Sequence, residues 1–166
     1  MNKIGIVAFS FGAPSTISAN TQITRIAEDQ ARLHNAPIYT QKDIKIHDSG
    51  IVVYQTDEEP GCPPPTLRIA RGAVKWAKEL SINELEIICA EPHLWRVKRD
   101  LEEAIRESGE KIIISVCPQI VLRDYHEDSW FDLSSTQKRT RSRRAWEKRE
   151  NILKLLPFSI YTKIAS

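Results

Sequence analysis

Apolar and polar residues alternate along this chain in two distinct rhythms. Short continuous apolar runs of β-prone residues occur at Ile4–Phe9, Ala36–Thr40, Gly50–Tyr54, Leu85–Ala90 and Lys111–Val116, and each reads as a buried strand. Between them lie segments with helical spacing. The first is Ser18 to about Leu33, with Ile23, Ile26, Ala27, Ala31 and Leu33 near one stripe. Thr66–Leu80 is the second, where Ile69, Ala70, Ala73, Val74, Trp76, Ala77 and Leu80 make a broad apolar face. Pro92–Ser108 is the third, with Leu94, Val97, Leu101, Ala104 and Ile105 on a stripe and Gly109 as its stop. Residues 119–136 read as irregular, Arg141–Leu156 as a long helix broken by Pro157, and an apolar tail follows.

Buried strands alternating with amphipathic helices predict an α/β fold: a Rossmann-like three-layer sandwich around a mostly parallel five-stranded sheet. The link between the second and third strands is only about ten residues, short for a parallel crossover, so that pairing stays open. The 166 residues fit one domain, 1–166, carrying a basic C-terminal helix from about 138.

The formal net charge of +2 hides an uneven distribution. Residues 138–149 hold seven Lys or Arg and one Glu, a basic patch on a mildly acidic body. A solvated helix face, a phosphate-backbone contact supported by Trp146, or a weak membrane-surface contact are the readings of that run. Cys62, Cys89 and Cys117 are odd in number and lack metal spacing, which fits a reducing, cytoplasmic setting. The N-terminal apolar run reads as a strand rather than a secretory leader, and no window of 18 apolar residues predicts a membrane span. No metal site and no particular cofactor is implied.

Candidate chemistry gathers at strand ends, where open α/β sheets bind their ligands. Ser10, Gly12, Ser15 and Thr16 follow the first strand and offer hydroxyls and backbone N–H groups to an anion. The loop has neither a P-loop Gly-Lys-Ser/Thr nor G-x-G-x-x-G. His93 and Arg96 open the helix after the fourth strand and share a face. A neutral His93 can act as acceptor or base, and Arg96 can pair with a carboxylate or phosphate, or merely bridge to Asp100. Asp57, Glu58 and Glu59 follow the third strand; such a cluster can bind a metal, act as acid or base, or simply form a solvated loop. Arg123, after the last strand, belongs to a segment that either closes over the site or merely covers surface. If the strand order reverses between the first and fourth strands, loops 10–16 and 91–96 face each other.

His93-Leu94-Trp95-Arg96-Val97, opening a helix after a strand, resembles the His-x-x-Arg-Ala signature of YdcF/SanA/ElyC-like domains. The run from Ala145 through Trp146, Arg149 and Glu150 is similar to that family's closing helix, which often carries an aromatic and an Arg-Glu pair. Thr66-Leu67-Arg68-Ile69-Ala70 stands where the family has Thr-x-x-Asn-Ala, with Ile69 in place of the Asn. The family's Gly-Gly turns are not recognisable. The resemblance implies a ligand at the strand C-termini near the His-x-x-Arg. Some members are linked to bacterial envelope metabolism, one is reported to bind S-adenosylmethionine, and several carry a membrane anchor. The functional expectation is an enzyme, a hydrolase or transferase, acting on a small anionic, phosphate-bearing metabolite. The alternatives are a non-catalytic binder of a nucleotide-like ligand such as S-adenosylmethionine, and nucleic-acid or acidic-partner binding through the basic helix.

Overall fold

The computed structural model describes residues 3–58, 65–121 and 127–165. Five strands form one all-parallel sheet: β1 (Ile4–Ala8), β2 (Ile38–Thr40), β3 (Val53–Gln55), β4 (Glu84–Ile88) and β5 (Ile113–Val116), in the order β3-β2-β1-β4-β5. The helices are α1 (Ser18–His34), α2 (Thr66–Glu79), α3 (Leu94–Ser108), α4 (Pro118–Val121), α5 (Arg143–Leu155) and α6 (Phe158–Ala165). Single 3-10 turns lie at Glu91–His93, Glu127–Trp130 and Lys138–Thr140.

Period-two alternation divides the strand side chains between two cores. Ile6, Ala8, Ile38, Ile88 and Ala90 meet Ile23, Ile26 and Ala27 of α1. Val7, Tyr39, Leu85, Ile87 and Cys89 meet Ile69, Ala73 and Trp76 of α2 and Val97 and Leu101 of α3. Strands apolar on both faces are stable only when both faces are covered. The result is the Rossmann-like three-layer sandwich expected from the sequence. Gly5 allows the close seating of α2, because a Cβ there would lie 2.7 Å from the Trp76 ring.

The short link from β2 to β3 is parallel after all, with Ile38 beside Val53 and Thr40 beside Gln55. It crosses without a helix. Ile44 is fully buried and Ile46 and Ile51 pack on the α1-side core, so three side chains replace a helix as the cover. This use of Ile51 also moves the third strand from the expected Gly50–Tyr54 to Val53–Gln55: Asp48 accepts from the backbone N–H groups of Gly50 and Ile51, making a turn there. Leu33, expected on the α1 stripe, is 72% exposed, because the last turn of α1 runs past the core. Phe158–Ala165, read as a tail, is helical. Among the described residues no helix is long and apolar enough to cross a membrane.

Candidate functional site

From β1 the chain crosses one sheet face through α1 to β2, and from β4 it crosses the opposite face through α3 to β5. The loops after β1 and β4 therefore leave the same edge side by side, at the switch point of the sheet. A cavity of about 250 Å3 opens there. The core contributes Ser10, Phe11 and Gly12, Gln41 after β2, Thr66 and Ile69 from α2, and His93 and Arg96. The C-terminal arm closes it with Gln137, Arg139, Thr140, Trp146 and Arg149.

His93 ends the 3-10 turn Glu91–His93, and only 7% of it is exposed. Its Nε2 lies 3.3 Å from Thr66 Oγ1. Its Nδ1 is buried without a well-formed hydrogen bond, the Ser10 backbone being the nearest aid to protonation. Burial, then the charges of Arg96, Arg139 and Arg149, hold the imidazole pKa well below its ordinary value. The ring is neutral at physiological pH and retains an acceptor. Phe9, Phe11 and Trp146 surround it, with Trp146 edge-on at 5.4 Å.

Three guanidiniums face this neutral ring. Arg96 is 3% exposed, pairs with buried Glu150 of α5, and lies 5.2 Å from the Trp146 ring centre. Arg149 is half-buried, and Arg139 stands at the solvent rim. Burial, with repulsion from Arg96 and Arg139, lowers Arg149 to about 10. Burial and Arg96 lower Arg139 as well. Both remain cations at neutral pH. Among the described residues the cavity lining contains no carboxylate, since Glu150 approaches Arg96 from outside it. Asp100, the alternative partner considered for Arg96, accepts from Tyr161 Oη of α6 at 2.8 Å. Three cations drawn to one cavity make its lining suited to a bound anion.

The first loop takes part differently from what its residue types suggested. Its donors are largely spent within the protein. Ser10 donates N–H and Oγ–H to Gln41 Oε1 at 2.8 and 3.1 Å. Phe11 N–H donates to Asn20 Oδ1 at 2.9 Å, and Asn20 Nδ2 donates to the carbonyls of Gly12 and Pro14. Gly12 has φ +90°, and a Cβ there would lie 2.5 Å from Thr140 Oγ1, so its small size seats the arm. Beyond Gly12 the loop turns away. Ser15 is half-buried, Thr16 is exposed, and neither lines the cavity. The start of α1 is also closed: Ser18 N–H donates to Asp132 Oδ2, and this bond with those from Ser134 holds the Asp132 carboxyl down at about 2.

Asp57 and Glu58 do not reach the cavity lining either. Asp57 is exposed and its carbonyl accepts from Arg68. Glu58 is engaged locally, its Oε1 accepting from the Lys42 N–H at 3.1 Å. Glu59 and Arg123 lie outside the described residues. Ser10, Gly12, His93 and Arg96 are brought together. No group of three or more His, Cys, Asp or Glu side chains placed to hold a metal occurs among the described residues.

Gln41, Gln137, Arg139 and Thr140 were not singled out by the sequence. Arg139 was visible only as a member of the basic run, and Arg149 as a member of that run and of the Arg-Glu pair in the resemblance. A physical signal for Arg149 was the adjacent Glu150, which falls at helical spacing between Trp146 and Leu153; these three are the buried residues of α5. Arg139 left no such signal.

Fold and site together define a Rossmann-like α/β protein with a cation-rich cavity at its switch point. No family model matches the chain, and no curated protein is found to match it.

Proposed function

We propose that this cavity binds a small anionic, phosphate-bearing metabolite. The observation that carries the reading is the convergence of Arg96, Arg139 and Arg149 on one switch-point cavity whose described lining has no carboxylate. Planar guanidinium forks suit phosphate oxygens. Phosphate binding here falls to side chains rather than to a backbone nest, because the first loop spends its N–H groups on Gln41 and Asn20.

A YdcF-like assignment gains support from the placement of the residues that carried it. Thr66, His93, Arg96, Trp146 and Arg149 share one cavity, with Glu150 paired behind Arg96. A sulfonium ligand such as S-adenosylmethionine suits three guanidiniums less well, since it carries a positive charge of its own. Nucleic-acid binding through the basic run loses two of its cations to the cavity, leaving Lys138, Arg141, Arg144 and Lys148 as exposed charges. The buried thiols of Cys89 and Cys117 accord with a reducing cytoplasm.

Within this reading His93 is the acid/base group of a hydrolase or transferase reaction, taking a proton on its neutral ring. A thermal-shift screen of inorganic phosphate, phosphosugars and nucleotides, run beside an assay for product, tests it. Phosphate-bearing compounds raise the melting midpoint of the native protein, and Arg139→Ala with Arg149→Ala removes that rise. His93→Ala keeps the shift and loses turnover. A screen in which no phosphate compound shifts the midpoint overturns the reading. A shift without product makes the protein a binder, and full activity in His93→Ala removes the acid/base role.

A further inference from the structure

We propose that the outward face of α5, up to its break with α6, docks on the surface of an anionic lipid bilayer. The inward side of these two helices is committed to the protein. Trp146, Glu150 and Leu153 are the buried residues of α5. Tyr161 Oη donates to Asp100, and the Arg99 guanidinium lies over the rings of Phe158 and Tyr161. Helical spacing then fixes which side chains point away. Arg144, Lys148, Ile152 and Leu155 stand at i, i+4, i+8 and i+11, opposite the buried stripe. All four are exposed, and none lines the cavity.

This stripe is cationic in its first half and apolar in its second. Leu155 is 85% exposed and Ile152 56%. Three residues apart on one helix, they form a single apolar tip, whereas apolar side chains scattered singly over a surface need no explanation. Ile160, also exposed, follows across the break at Pro157. Lys148, Lys154 and Lys163 are exposed before, within and after this stretch, and residues 151–163 contain no Asp or Glu. Glu147, the one exposed acid of α5, pairs with Arg143.

Charge and shape together choose the occupant. An anionic headgroup layer over hydrocarbon meets both halves of the stripe. The cations take the headgroup phosphates and the apolar tip enters the acyl boundary, while the Lys stems lie along the tip with their ammoniums kept in the headgroups. A second copy of the chain fits less well. A two-fold contact sets the cations of one copy against those of the other, and a few side chains fall far below the roughly 800 Å2 per partner of a stable interface. Nucleic acid meets the cations but lays Leu155 against phosphates, and α5 offers no exposed aromatic ring for a base to stack on.

The test is sedimentation of the intact protein with vesicles of equal parts phosphatidylglycerol and phosphatidylcholine, and with vesicles of phosphatidylcholine alone. The protein pellets with the first and not with the second, and added salt releases it. Leu155→Ser, checked for an unchanged circular dichroism spectrum, weakens binding by about tenfold through the lost apolar insertion. Lys148→Ala weakens it by about fivefold, the loss of one cation near an anionic surface. Inorganic phosphate, compared with chloride at equal ionic strength, leaves the bound fraction unchanged. Release by phosphate would put the headgroup in the cavity and overturn the surface. No pelleting with the anionic vesicles, or equal pelleting with phosphatidylcholine alone, overturns the proposal. So does binding that Leu155→Ser leaves unchanged, since charge alone is then being read, as a nucleic acid would also read it. Self-association without lipid that Leu155→Ser abolishes gives the face to a second copy and overturns it as well.

Discussion

The sheet with its helices and the C-terminal arm are built on opposite terms, and the cavity lies between them. In the sheet core, apolar side chains fill both faces and polar groups are few. The arm from residue 127 onward is fastened mainly by polar and aromatic contacts. Arg96 reaches Glu150, Trp146 Nε1 donates to the Pro92 carbonyl at 3.0 Å, and Thr136 N–H donates to the Ala13 carbonyl at 2.8 Å. The core positions groups, and the arm brings two of the three cations. A protein so arranged can lose its site without losing its fold.

The largest expected effect separates these two regions. Glu150→Ala leaves the Arg96 guanidinium buried and unpaired, a loss of about 3–5 kcal/mol when one partner of a buried pair is removed. That loss falls on the attachment of the arm. The expected outcome is increased hydrogen exchange across 127–161 with the β1 and β4 amides still protected. Leu101→Ala, in the α2–α3 core, costs about 2–5 kcal/mol through an unfilled cavity, and here all amides lose protection together. Uniform loss of protection in Glu150→Ala would show that arm and sheet unfold as one unit.

A smaller effect comes from Asp100, fully buried beside Arg96 and Tyr161. Burial raises its carboxyl from 3.8 to about 6, so the folded state binds this proton more tightly than the unfolded chain does. The resulting stabilisation is complete below about 3.8 and is lost as pH rises through about 6. At roughly 1.4 kcal/mol per pKa unit, it amounts to about 2–3 kcal/mol. Asp100→Asn keeps an acceptor for Tyr161 and removes the titration. Urea unfolding at pH 4 and pH 7 reads the difference: the native protein loses more stability across that interval than the variant does. Parallel pH profiles would mean that Asp100 is ionised in both states.

The fold was legible because its information is apolar and periodic. Runs such as Ile4–Ala8 and Leu85–Ile88 carry enough buried surface to define strands whatever surrounds them. Ile44 and Ile46, which help to cover the helix-free crossover, escaped that reading, because isolated apolar residues in a polar stretch have no period. His93 and Arg96 were legible for a related reason, since a strand that runs into a helix start names its own sheet edge. The rest of the site was not. Serines and a glycine after β1 suggested an anion loop, but donor groups do not announce whether Gln41 or Asn20 has already taken them. The arginines that replace them, Arg139 in a 3-10 turn and Arg149 on α5, follow Arg96 by some forty to fifty residues, a separation over which sequence order carries no distance information.

The smallest expected effect is the sharpest probe of the arm, because it uses adjacent residues. Lys148 and Arg149 stand next to each other on α5 and carry the same charge, yet Lys148 is exposed while Arg149 lines the cavity. Lys148→Ala changes stability by less than about 0.5 kcal/mol, as surface replacements usually do, and leaves phosphate affinity unchanged. Arg149→Ala is also mild in stability but lowers phosphate affinity by about tenfold, the loss of one charge-assisted contact. If the basic run acted as a diffuse electrostatic surface, both variants would weaken binding equally and salt would abolish the effect of each. A cavity contact predicts a difference that persists at high salt, since a ligand held against a half-buried guanidinium is screened far less than one attracted to an open helix face.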